Sequence, residues 1–201
     1  MIYAITNRRL IEGGILAFLS QVEKIAEAGP DGIILREKDM TVSNYRELAR
    51  QCQEICGRWK TPFMINHFWQ VARELGVKNI HLSMAVFNEL IEKEGDLQVW
   101  NRVGVSVHSQ EEAAYAQSQG ASYLIAGHIF PTDCKAGVPA RGLDFLSQIV
   151  EKVTIPVFAI GGMNRENGQL ALSTGAAGIC LMSGLMKDPK PREIIKRFSG
   201  R

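Results

Sequence analysis

SYLIAGHIFPTDCKAGVPARG, residues 122–142, changes character halfway along its length. Tyr123-Leu124-Ile125-Ala126 is a short apolar run with the composition of a buried strand. Gly127-His128 then opens a loop that carries Thr132, Asp133, Cys134 and Lys135. A core strand running straight into titratable side chains is the arrangement of an active-site loop at a strand end.

Outward from this stretch the same unit recurs. Apolar β-rich runs at 2–6, 32–36, 63–66, 79–82, 102–107, 122–127, 156–160 and 178–182 alternate with segments of helical period. Repeated β-α units imply a parallel sheet, and eight of them imply a closed (β/α)8 TIM barrel, because closure pairs the edge strands that an open sheet leaves exposed. Ser43 and Ser109 are expected N-caps, and Gly29, Gly120 and Gly175 expected helix stops. No linker interrupts the series, so residues 1–201 are expected to form a single domain. That length is near the lower limit of the fold and leaves function to short loops.

The bulk composition excludes several partners. With 46% hydrophobic and 22% charged residues and a net charge of +2 from interspersed groups, there is no basic block to bind nucleic acid. Neither a signal segment nor an apolar stretch of the ~20 residues that a membrane span needs is present, so a cytoplasmic protein is expected. Cys52, Cys56, Cys134 and Cys180 lack the paired spacing of a zinc site; the first two, one helical turn apart, are expected to pack as free thiols.

Reactive groups of such a barrel gather at the carboxyl ends of the strands. Gly161-Gly162 after strand 7 and Met182-Ser183-Gly184 after strand 8 form the pair of loops where a phosphate is expected, since glycines let backbone amides approach an anion. Arg36-Glu37-Lys38-Asp39, directly after strand 2, reads as an anion-facing stretch. His128 is the candidate for proton chemistry, its unperturbed pKa of about 6.5 suiting proton transfer near neutrality. The four histidines share no helix face and no third ligand pattern, so no metal site is expected; His81 reads equally as a hydrogen-bonded core residue.

These blocks in this order resemble a known family. LREKD at 35–39, MIN at 64–66, GVSVHSQEEA at 104–113, GHIFPTDCKAG at 127–137, AIGGMN at 159–164 and GAAGICLMSG at 175–184 are similar to the thiamine phosphate synthase superfamily along nearly the whole chain. The resemblance implies the (β/α)8 fold and a thiazole phosphate ligand. Synthases of the family join a pyrimidine diphosphate to that thiazole, with a magnesium ion held by two aspartates after strands 3 and 4. At those positions this chain has His67 and Val86. Mg²⁺ takes oxygen ligands, so the two substitutions speak against the synthase reaction.

The loop at 127–135 is instead similar to the TenI branch, the thiazole tautomerases. That resemblance implies isomerisation of 2-[(2R,5Z)-2-carboxy-4-methylthiazol-5(2H)-ylidene]ethyl phosphate to its aromatic tautomer, without metal or cofactor. His128 would be the acid/base residue. Gly161, Gly162, Met182 and Ser183 would surround the phosphate, Thr132, Cys134 and Lys135 would face the carboxylate, and Arg36 and Lys38 would make that end of the cavity positive. The second proton carrier stays open among Glu37, Cys134, water and His128 itself. A thiazole-phosphate sensor without catalysis is a further reading. The resemblance also implies a homo-oligomer, with a dimer favoured.

Overall fold

The computed structural model describes residues 1–132, 137–164 and 166–199. Cys134 and Lys135 therefore lie outside the described residues. Eight strands are present: β1 (Ile2–Ile5), β2 (Gly32–Leu35), β3 (Phe63–Asn66), β4 (Asn79–Ser83), β5 (Arg102–Val107), β6 (Tyr123–Gly127), β7 (Val157–Ile160) and β8 (Gly178–Leu181). Their order is sequential and closes into a barrel, as the alternation of elements predicts. Parallel registers such as Ile33↔Phe63 and Ile125↔Phe158 give each strand its neighbours. The helices are α1 (Gly14–Ala28), α2 (Val42–Arg58), α3 (Trp69–Glu74), α4 (Met84–Glu94), α5 (Gln110–Ser118), α6 (Gly142–Lys152), α7 (Gly168–Ser173), α8 (Ser183–Met186) and α9 (Pro191–Ser199). No described helix is long and apolar enough to cross a membrane.

The chain divides into two compact units, Met1–Ile80 with Leu181–Arg201, and His81–Cys180. In the first, α2 buries Tyr45, Leu48, Ala49, Cys52, Ile55 and Cys56, a stripe at three- and four-residue spacing. The two cysteines are free, and burial pushes the Cys56 thiol up to about 12, which leaves it packed and unreactive. Tyr45 donates from its hydroxyl to the Leu35 carbonyl at 2.7 Å and accepts from the Asn66 amide at 3.3 Å, so one buried phenol holds the ends of β2 and β3. The cap of α2 is Thr41, whose Oγ1 accepts from the Asn44 amide, rather than the expected Ser43 two residues on. Either hydroxyl satisfies the same first-turn amides, and Thr41 is the residue that retains extended backbone.

In the second unit Ser109 caps α5 as expected, accepting from the Glu112 amide at 3.1 Å, while the Glu112 carboxylate accepts from the His108 amide at 2.6 Å. His81, buried on β4, meets the Ser106 hydroxyl at 2.8 Å through Nε2 and the Tyr123 hydroxyl at 3.2 Å through Nδ1. It is the hydrogen-bonded core residue that the sequence allowed. Gly104 makes room for this cluster: a Cβ there would stand 2.0 Å from the Tyr123 ring.

Candidate functional site

In the first unit the carboxyl ends of β1 and β2 carry a dense ionic network. Glu37 is only 2% exposed. Its carboxylate accepts from the Thr6 hydroxyl at 2.8 Å, the Arg8 amide at 2.9 Å and the Arg8 guanidinium at 3.1 Å. Thr6 in turn accepts from the Arg36 amide at 2.9 Å, so the backbone at the end of β2 is tied to the end of β1. The same Arg8 Nη1, together with Nη2, grips Asp39 at 2.6 and 2.5 Å, and Arg9 adds a contact to Asp39 at 2.8 Å.

The charges respond accordingly. Hydrogen bonds from Arg8, opposed by some desolvation and reinforced by Arg9, hold the Asp39 carboxyl far below the usual carboxylate range. Glu37 moves the other way: burial raises its pKa, and the bonds from Thr6 and Arg8 offset only part of that. Both acids of the 36–39 stretch are thus engaged by arginines from the β1 end. Arg36 and Lys38 are exposed and make no ion pair among the described residues. Although Lys38 keeps an exposed surface, surrounding protein crowds its ammonium; that desolvation, with the Arg36 charge second, lowers its pKa. No carboxylate among the described residues pairs with either cation. Sequence reasoning had Arg36 and Lys38 but missed Thr6, Arg8 and Arg9, although Thr6-Asn7-Arg8-Arg9 directly follows an apolar strand.

Met182 and Ser183 belong to the same unit. Met182 is half-buried and precedes α8, which is only four residues long. Gln21 from α1 donates to the carbonyls of Leu185 and Asp188 at 2.7 Å each and fixes this short turn from behind.

In the second unit the site is built from backbone. His128 is 4% exposed, and its Nε2 lies 3.2 Å from the Val138 carbonyl, which requires a proton on that nitrogen. Nδ1 is buried with no hydrogen-bond partner among the described residues. The segment after β6 continues the sheet: the Ile129 amide donates to the Ile160 carbonyl at 2.8 Å and the Phe130 amide to Gly161 at 3.0 Å. It returns through Arg141 and Gly142, whose amides donate to the carbonyls of His128 and Ile129 at 3.0 Å each. Arg141 also donates to the His108 carbonyl at 2.8 Å and lies over the Phe145 ring.

Gly161 and Gly162 have a reason for being glycine in this crossing. Both have positive φ, 100° and 64°. A Cβ on Gly161 would stand 2.3 Å from the His128 Cβ, and one on Gly162 would stand 2.3 Å from the Pro131 carbonyl oxygen. Close approach of the His128 segment therefore demands glycine twice, whatever else the loop does. Thr132 lies half-buried at the far end of that segment.

The fit of these residues to magnesium is poor. His67, at left-handed φ 69°, packs edge-on against the Phe68 ring at 4.8 Å, and Val86 is an aliphatic residue of α4. Among the described residues no three His, Cys, Asp or Glu side chains group to hold a metal ion. Neither substituted position offers the oxygen that Mg²⁺ takes.

A (β/α)8 barrel with cations and glycine loops at the carboxyl ends of its strands defines a class of phosphate-ligand barrels. Within that class, the family described as thiamine monophosphate synthase matches residues 2–185, and the chain belongs to it. The putative thiamine-phosphate synthase of Geobacter sulfurreducens is 37% identical over 199 residues, covering 96% of this chain and 89% of the relative. The thiamine-phosphate synthase of Clostridium botulinum is 34% identical, covering 93% and 90%. The solved thiamine phosphate pyrophosphorylase of Pyrococcus furiosus matches with a TM-score of 0.80 at 30% identity, covering 98% of this chain and 92% of that one.

These findings correct the expectation of a thiazole tautomerase. Relatives alike over nearly their whole length bear the synthase name, and nothing in the comparisons points to an isomerase. The tautomerase reading rested on one short loop and two substituted positions, and the loop's Cys134 and Lys135 lie outside the described residues. The family is one of enzymes that handle small phosphate-bearing substrates in thiamine biosynthesis.

Proposed function

We propose that the chain is an enzyme of the thiamine-phosphate synthase kind, which takes a pyrimidine diphosphate and a thiazole phosphate at the carboxyl ends of its strands and releases diphosphate. The reaction breaks a carbon–oxygen bond to the leaving diphosphate and forms a carbon–nitrogen bond to the thiazole ring. Negative charge develops on the leaving group, and preorganised cations there favour the transition state over the ground state. One observation carries the reading: among the described residues neither Arg36 nor Lys38 has a carboxylate partner, because Arg8 and Arg9 engage both neighbouring acids.

Gly161 and Gly162, with the segment that carries His128, Thr132, Cys134 and Lys135, are the candidates for the other substrate. Met182 and Ser183 are further phosphate candidates. Because α7 and α8 have six and four residues, backbone amides rather than a long helix dipole would meet the anion. A cytoplasmic homo-oligomer, a dimer, accords with this reading. No step is assigned to magnesium, which the residues at 67 and 86 do not fit.

That misfit favours a second reading, a thiazole-phosphate-binding protein without catalysis. Supplying both substrates with and without Mg²⁺, and following thiamine phosphate and diphosphate, separates the two. Product formation is the expected result; calorimetric binding of the thiazole phosphate with no product would replace the first reading by the second.

A further inference from the structure

From the contacts at the ends of β1 and β2 we infer that Arg8 is a positioning residue that partitions charge: by engaging Glu37 and Asp39 together, it keeps Arg36 and Lys38 available to an anionic ligand. This rests on the proposed phosphate-substrate reading for its ligand, a diphosphate or phosphate ester, but the device itself stands on the geometry.

Residues 36–39 alternate cation and anion, Arg36-Glu37-Lys38-Asp39. Left to itself such a run would pair internally or with its neighbours and present little net charge. Here the two guanidiniums of Arg8 and Arg9 meet the two carboxylates of Glu37 and Asp39, and these four charges cancel. Arg36 and Lys38 remain as two positive charges that repel one another.

The geometry makes Arg8 central. Its guanidinium alone reaches both acids, one buried and one at the surface, and its own amide also donates to Glu37. Arg9 touches only Asp39 among these acids and is far more exposed. A planar fork can serve two carboxylates at once in a way that an ammonium cannot. Thr6 completes the arrangement: its hydroxyl donates to Glu37 while accepting from the Arg36 amide. Through Thr6, the carboxylate that Arg8 neutralises is thereby tied to the backbone from which Arg36 projects.

Removing Arg8 would release Asp39 to pair with Lys38 or Arg36. The charged neighbours of Lys38 in sequence are Arg36, Glu37 and Asp39, and Arg8 engages the two acids among them. The test uses inorganic diphosphate as the probe, in the full chain, with wild type, Arg8→Gln, Arg8→Lys and the double variant Arg8→Gln/Asp39→Asn. Arg8→Gln is expected to lose at least tenfold in diphosphate affinity, and Arg8→Lys to recover only part of it. The double variant is expected to recover most of the loss, because the freed carboxylate is gone.

In parallel, the Lys38 ammonium is titrated by carbon-13 NMR, with Lys38→Arg giving the assignment. Its pKa is expected to rise in Arg8→Gln and fall back in the double variant. A lower melting temperature with unchanged Lys38 titration would overturn the inference in favour of a purely structural Arg8. So would a double variant as weak as the single one. If wild type does not bind diphosphate, the functional reading fails, while the Lys38 titration still decides the role of Arg8.

Discussion

The mouths of the two units solve different problems. The ends of β1 and β2 are organised by charge: three arginines, two acids and a lysine from residues 8–9 and 36–39, with both acids engaged by Arg8. The ends of β6 and β7 are organised by backbone: a histidine segment laid along Gly161 and Gly162, closed by amides of Arg141 and Gly142. On the proposed reading, charge partition gives an anion-binding surface that tolerates small displacements. Close backbone approach leaves a surface defined by shape, where one added methyl is too much. The two regions should therefore fail differently, the first in ligand affinity and the second in folding.

The sharpest way to break that contrast is at Gly162. A Cβ there would sit 2.3 Å from the Pro131 carbonyl oxygen and 2.8 Å from the Phe130 Cβ, at φ 64°. Gly162→Ala should cost about 3 kcal/mol in urea unfolding, from overpacking together with left-handed strain. A cost below about 0.5 kcal/mol would show that the segment yields easily, and the shape argument would go with it.

Tyr123→Phe comes next. Loss of the hydroxyl that meets His81 should cost about 1–2 kcal/mol of stability while leaving diphosphate affinity as it was. A change in affinity at unchanged stability would mean that the buried cluster reports on the ligand after all.

The charged mouth should show the opposite profile. Lys38→Ala is expected to lose about tenfold in diphosphate affinity, roughly 1.4 kcal/mol, with little change in melting temperature. The pH dependence has a definite sign. A lysine whose folded pKa is lowered gives up its positive charge before an ordinary lysine does, so anion affinity should begin to fall at a pH below the usual lysine value of about 10.4. A calorimetric series across the alkaline range checks this, and affinity that holds until ordinary lysines titrate contradicts the desolvation of Lys38. The smallest effect is outside both mouths: Ser109→Ala should cost about 1 kcal/mol through the lost cap of α5, without touching affinity.

Much of the fold was legible because strand and helix differ in period. The runs at 63–66 and 102–107 end where β3 and β5 end, and Gly29, Gly120 and Gly175 all lie at positive φ beyond their helices. The site was legible in part. Rules about strand ends lead to Arg36, Lys38 and His128, but no periodicity reveals that Arg8, nearly thirty residues earlier in the chain, engages Glu37. Ion pairs between loops depend on strand register, which the sequence does not display. Gly161 and Gly162 stand out as glycines in the sequence, but their contact with residues 128–131 does not, because it depends on how two loops cross. The reaction was the least legible. A short loop and two substituted positions weighed against a likeness that extends over nearly the whole chain, and the whole-chain likeness names synthases.

The central claim is that Arg36 and Lys38 receive the anionic end of a substrate. It is tested most directly by calorimetric titration of the pyrimidine diphosphate into wild type and into Arg36→Ala/Lys38→Ala. The account predicts saturable binding to wild type and a loss of affinity of at least tenfold in the double variant, with both proteins equally folded. Equal affinity in the two proteins, or no binding to wild type, would contradict it.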